Sequence, residues 1–174
     1  ADSQLYIIIL NYILVLNTIW NMRIFIYNLF INLNDKLMSE SKLKYYKGLF
    51  LLAAVYDLVL GIVFTFFPKL AFEFIGIPEK LPEFGGYLSL IGVFLFVIGV
   101  AYYLIYRGDM QKNRDLIFVG ILYKLSYFLV TFYYFVIQDI PHFIFFGLFG
   151  IVDFIMFMLM VECYISVKNT QLKN

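Results

Sequence analysis

The sequence predicts an all-α transmembrane helical bundle, with four core spans and an additional N-terminal hydrophobic helix. Three observations lead there. Of 174 residues, 63% are hydrophobic and 14% are charged, where a soluble domain carries roughly 45–50% and about 25%. A soluble chain of this length has too little interior to hide so much apolar surface. Aromatic residues make up 21%, nearly all of them Phe and Tyr, and Tyr gathers where an apolar body meets a wet headgroup layer. The apolar residues also fall in long runs, of the about 20 helical residues that a bilayer core requires.

The first run covers residues 5–33 and the second 46–67. The third covers 87–106, the fourth 116–137 and the fifth 143–166. The last four are bounded by charged or proline-bearing connections. Pro68 ends the second run, and Pro141 stands where a helix can begin without losing a needed N–H. Between the second and third runs, residues 68–78 are too short to cross and are bracketed by prolines. Lys69 and Glu73 share one face there and leave Leu70, Phe72, Phe74 and Ile75 to apolar surroundings. This pattern predicts a short helix lying on the membrane surface. Residues 79–86 read as a loop from their Pro and Gly content.

Basic residues set the expected orientation. Lys36, Lys42, Lys44 and Lys47 precede the second run, Arg107, Lys112 and Arg114 follow the third, and Lys168 and Lys173 follow the last. In a four-span core these regions share one side, and the other side has only Lys69 and Lys80. Cytoplasmic loops are the ones enriched in Lys and Arg, so the 107–115 loop and the C-terminus are expected in the cytoplasm. The opening Ala1-Asp2-Ser3-Gln4 has no basic region, and the apolar run after it is too long for a cleavable signal peptide.

The first run differs from the rest. Asn11, Thr18, Asn21, Asn28 and Asn32 fall within about a third of a helix circumference at roughly 100° per residue. Such a stripe is costly against lipid and is satisfied by interhelical amide hydrogen bonds. It is therefore expected to face protein, either within the bundle or on a partner subunit. Arg23 lies off the stripe and has to snorkel or find a carboxylate. Met38-Ser39-Glu40-Ser41-Lys42 reads like an ordinary protein start. The chain accordingly divides into residues 1–37, a hydrophobic helix with a polar Asn face, and residues 38–174, a four-helix transmembrane core.

Three charges interrupt the core spans: Asp57, Lys124 and Asp153. A charge near the bilayer centre costs at least about 2.5–3.5 kcal/mol, so its presence needs a reason. At about 1.5 Å rise per residue, all three fall roughly 12–18 Å from the basic face, at one level. A Lys between two Asp on neighbouring helices forms a compensated ionic cluster. It can act as a clamp that selects which helices pack together. The same set can also relay a proton or cation, or anchor a polar ligand. Tyr56, Thr65, Tyr123, Ser126, Tyr127 and Thr131 are hydroxyls placed to support it. Gly92 with Gly99, and Gly147 with Gly150, share helix faces and are expected to permit close helix approach. Glu162, near the basic end, is expected to pair with Arg107 or Lys168.

Several function classes are disfavoured. A net charge of +1 argues against nucleic-acid binding. The single Cys163 offers no thiol pair, and the single His142 offers no bis-histidine haem. No phosphate-binding glycine loop, metal-ligand spacing or Ser-His-Asp set is present. His142, beside Pro141, is read as an ordinary helix-start residue. No cofactor, metal or catalytic residue is therefore expected.

From about residue 47 to 163 the order of features resembles a family of small bacterial four-helix membrane proteins to which no activity is attached. The resemblance is carried by Tyr56-Asp57 with Gly61, the segment between Pro68 and Pro78, a Gly-rich second core span, Gly120 with Lys124, and Asp153. It implies the four-span architecture and a bacterial inner membrane, and it implies no chemistry. The sequence thus leads to an expected non-enzymatic accessory or structural subunit of a membrane protein complex, in contact with lipid and with other subunits or itself. The alternative is a small transporter or proton-linked channel working through the Asp/Lys cluster.

Overall fold

The computed structural model describes residues 40–171, with side chains through residue 168. The predicted helix over 5–33, its Asn11, Thr18, Asn21, Asn28 and Asn32 face, and the division at residue 37 lie outside the described residues. Within them the protein is an all-α bundle. Its long helices are α1 (Glu40–Phe66), α3 (Gly86–Arg107), α4 (Arg114–Val136) and α5, which spans Phe143–Lys168 and continues to Gln171. These 4 helices are long and apolar enough to cross a membrane. The short helix α2 (Pro68–Ile75) and a 3₁₀ turn (Pro78–Lys80) connect α1 to α3.

The spans are apolar on the outside as well as the inside. Only 22% to 39% of each span's most apolar stretch is buried within the bundle. The remainder presents side chains such as Leu52, Phe94 and Val130 outward. That arrangement is stable where the surroundings are hydrocarbon, because polar groups then do better inside than out.

Small residues bring α1 and α3 together. A Cβ at Gly61 would lie 2.7 Å from Phe96 N, one at Gly92 would lie 2.6 Å from Thr65 N, and one at Gly99 would lie 2.9 Å from Leu58 N. Helix backbones approach this closely only where side chains are absent. The expected role of Gly92 and Gly99 in close approach therefore holds, with Gly61 as their counterpart on α1. The expected role of Gly147 and Gly150 does not. A Cβ at Gly147 would meet nothing within 4 Å, and the nearest atoms to one at Gly150 belong to the Phe146 ring of its own helix. Aromatic contacts join α4 to α5 instead, through Phe128 tilted against Phe154 (ring centroids 4.7 Å) and Phe135 stacked on Phe146 (4.1 Å).

The first part of α5 departs from regular geometry. After one α-helical turn at Phe143–Phe145, residues Phe146–Val152 are π-helical, and α-helix resumes at Asp153. Widening the helix shifts the face on which later residues stand and alters its hydrogen-bond register. The Leu148 carbonyl in this stretch accepts a bond from the Tyr56 hydroxyl at 3.0 Å. The two helix ends in the loops use one motif with different residues. At the end of α2, Gly76 has φ 81°, its N–H bonds Glu73 O, and Ile77 N bonds Phe72 O. At the end of α4, Gln138 has φ 60°, its N–H bonds Phe135 O, and Asp139 N bonds Tyr134 O. Both are left-handed helix stops, and Gln138 occupies a position that glycine usually fills.

Helix α2 buries Phe72 against Phe145 of α5 (ring centroids 5.9 Å) and leaves Leu70 and Phe74 exposed. Its apolar side chains thus divide between the bundle and the surroundings. Pro68 stands in its first turn, where no N–H is missed.

Candidate functional site: a buried Asp–Lys–Asp cluster

Each member of the cluster stands on an inward helix face for a readable reason. On α4, Ile117, Gly120, Ile121 and Lys124 are the buried residues, spaced as a single helical stripe. On α1, Asp57 follows Phe50, Ala53 and Ala54 on the buried face and precedes Gly61. Asp153 is the first residue after the π-helical stretch of α5. The three residues come from three helices and meet in the interior. Lys124 Nζ donates to Asp57 Oδ1 at 2.8 Å and to Asp153 Oδ1 at 2.9 Å. Asp57 and Lys124 are 0% exposed, and Asp153 is 1% exposed.

The cluster lies between two apolar cores. One core, toward the 108–113 loop, contains Tyr46, Phe50, Ile105, Met160 and Val167. The other, toward α2, contains Phe64, Phe72, Leu95 and Phe149. Three tyrosine rings enclose the ammonium: Nζ stands 4.8 Å from the Tyr56 centroid, 5.6 Å from Tyr123 and 5.7 Å from Tyr102. A cation held over an aromatic face away from water gains up to about 2 kcal/mol. Two carboxylates on one ammonium leave one negative charge, or one proton, in excess. Asp57 Oδ2 is buried with no hydrogen-bond partner, and so is the Tyr123 hydroxyl.

The supporting hydroxyls behave individually. Tyr56 donates to Leu148 O, and Ser126 Oγ donates to Leu122 O of its own helix at 2.8 Å. Thr65 contributes its backbone, its carbonyl accepting from Ser89 Oγ at 3.1 Å. The Tyr127 ring packs, tilted, against Tyr123 at 4.8 Å and Phe149 at 5.7 Å. Sequence reasoning missed Tyr102, whose hydroxyl donates to Gly120 O at 3.1 Å while its ring faces Lys124. Its position one turn beyond Gly99, on the Gly92–Leu95–Gly99 face, was the available signal.

Glu162 is paired, but not with the expected partners. It accepts from the Tyr46 hydroxyl at 2.8 Å and lies 3.5 Å from Lys42 Nζ, both on α1, and Tyr46 is also bonded to Ser166 Oγ at 3.0 Å. Arg107 and Lys168 are not its partners, because the first turns of α1 run beside the end of α5. His142 caps α5, its Nδ1 accepting from Ile144 N at 3.2 Å. Among the described residues, no group of three or more His, Cys, Asp or Glu is placed to hold a metal ion. No family model, curated protein or solved structure matches this chain.

Proposed function

We propose that this membrane protein is a non-enzymatic accessory or structural subunit of a membrane protein complex, with the Asp57–Lys124–Asp153 cluster acting as an ionic clamp that fixes its helix arrangement. The observation that supports this reading is how the cluster is occupied. Lys124 directs hydrogen bonds to both carboxylates, and tyrosine rings enclose it. None of the cavities described below is lined by any of the three residues. A charge set turned on itself between two apolar cores suits helix selection better than turnover. The partner contact belongs to the polar Asn11, Thr18, Asn21, Asn28 and Asn32 face, and the 107–115 loop and C-terminus to the cytoplasmic side. Isolation in mild detergent with mass analysis of what accompanies the chain tests this. A stoichiometric membrane protein partner is expected; a lone oligomer overturns it.

A second reading, a small proton-linked transporter or channel, is favoured by one observation: the unpartnered Asp57 Oδ2 in a site with more carboxylates than cations. In vesicles carrying a pH-sensitive dye, this reading requires flux that Asp57→Asn abolishes. Vesicles that hold a pH gradient as well as protein-free ones exclude it.

A further inference from the structure

Helices α3 and α4 are closely joined at one end. Beside the short 108–113 loop that connects them, the Tyr102 hydroxyl bonds Gly120 O, and the Tyr102 ring fills the space a Cβ at Gly120 would need. Toward their other ends a crevice of about 340 Å³ lies between them. Leu88 and Ile91 of α3 form one wall and Val130 and Thr131 of α4 the other. The buried Phe64 and Phe149, stacked at 6.1 Å, form the floor. A second cavity of about 270 Å³ shares Val130, Thr131, Phe145 and Phe149 with the first and runs on to Tyr134, Asp139 and Pro141. The shared lining makes one crevice. It begins among the apolar side chains of the spans and ends at the loop where α4 stops and α5 starts.

The lining specifies what can enter. It is overwhelmingly apolar, and its rims carry exposed Ile91 and Val130, so it opens sideways toward the hydrocarbon. A space of about 300–1,000 Å³ with such walls is the size of an ordinary ligand pocket. Walls this poor in polar surface, with hydroxyls only at Ser126, Tyr127 and Thr131, offer water few hydrogen bonds, and beside a bilayer the available filler is a lipid chain. At the mouth stands Asp139, which makes no ion pair or side-chain hydrogen bond among the described residues. No Lys or Arg lines either cavity. A carboxylate without neighbouring cations favours an ammonium and repels an anionic headgroup. The left-handed stop at Gln138 immediately before it sets where that carboxylate sits.

We propose that this crevice binds one amine-bearing phospholipid of the surrounding bilayer. An acyl chain lies between α3 and α4, and the headgroup ammonium donates to Asp139. Through Tyr127, which packs against Tyr123, the bound chain also covers the side of the bundle nearest the ionic cluster.

The test uses the full chain in vesicles of equal phosphatidylethanolamine and phosphatidylglycerol, extracted gently and weighed by native mass spectrometry. One retained phospholipid is expected, with the amine lipid enriched roughly tenfold, as one additional charge-assisted hydrogen bond would give. Asp139→Asn should keep a lipid but bring the enrichment to about parity. Val130→Trp, at an exposed position, should expel the lipid without shifting the melting curve of the delipidated chain in detergent; Ile91→Trp, on the opposite wall, repeats the test if it does shift. Retention of lipids in the vesicle ratio, no retained lipid in the wild-type chain, or unchanged enrichment in Asp139→Asn would each overturn the proposal.

Discussion

Lys124 and its two carboxylates set unequal consequences for removing each member. Lys124→Met leaves Asp57 and Asp153 facing each other in an interior without a cation, an arrangement that costs about 3–5 kcal/mol when a buried pair is broken. Asp57→Asn is different, because the amide oxygen still accepts from Lys124 and the charge of the remaining Lys124–Asp153 pair cancels. Its NH₂ takes the place of Oδ2, an atom that has no partner to lose. A thermal melting series in detergent should therefore rank Lys124→Met far below wild type and Asp57→Asn close to it. Equal, small losses for both would show that the cluster does not hold the helices. A second residue-scale consequence concerns Gln138, whose left-handed backbone burdens a side chain that has a Cβ. Gln138→Gly should raise stability by about 0.5–1 kcal/mol, and Gly76→Ala at the equivalent stop of α2 should lower it by a similar amount.

At the scale of elements, the α1–α3 contact depends on what is missing from it. A methyl group at Gly92 runs into the Thr65 hydroxyl and, behind it, the Thr65 and Gly61 backbone, which no rotation of a side chain can clear, so the helices have to separate to admit it. Gly92→Ala should cost about 1–3 kcal/mol, in the range of overpacking in a tight interior. Gly48→Ala, on an exposed part of α1 with nothing within 4 Å of the added methyl, should be neutral or stabilising by up to about 1 kcal/mol through helix propensity. The pair of melting measurements separates close packing from helix propensity. The sequence made the α3 side of this contact readable, because Gly92 and Gly99 recur on one helix face. The same logic failed for Gly147 and Gly150. Their spacing presumes regular α-helix, and the π-helical stretch Phe146–Val152 changes which face they occupy. No residue pattern in that stretch announces the widening. Lys124 was legible for the reason the glycines of α3 were: it continues a stripe of inward residues, and a charge in an apolar run has few other places to go. The partner of Glu162 was not, because both candidates were chosen for nearness in depth, whereas lateral adjacency of α1 and α5 selects Lys42 and Tyr46.

For the whole molecule, the decisive question is how much of the bundle is complete without residues 1–37. Within residues 40–168 the buried charges pair with one another, the glycine contact closes α1 on α3, and α5 is tied to α1 by Tyr46 with Glu162 and Ser166. Each of these buried charges already has an oppositely charged neighbour within residues 40–168, so removing a flanking segment separates none of these pairs. A chain beginning at Met38 should therefore insert into membranes and melt close to the full-length protein. The polar face of Asn11, Thr18, Asn21, Asn28 and Asn32 lies outside the described residues, and amide stripes in hydrocarbon are satisfied by other helices. If that face is the subunit contact, the shortened chain keeps its stability and loses the protein that accompanies the full-length chain in mild detergent. Comparing the two preparations by melting and by mass analysis separates the cases. Loss of partner with stability kept supports the subunit reading, a partner kept by the shortened chain moves the contact to residues 38–174, and failure to insert shows that the first helix is part of the fold.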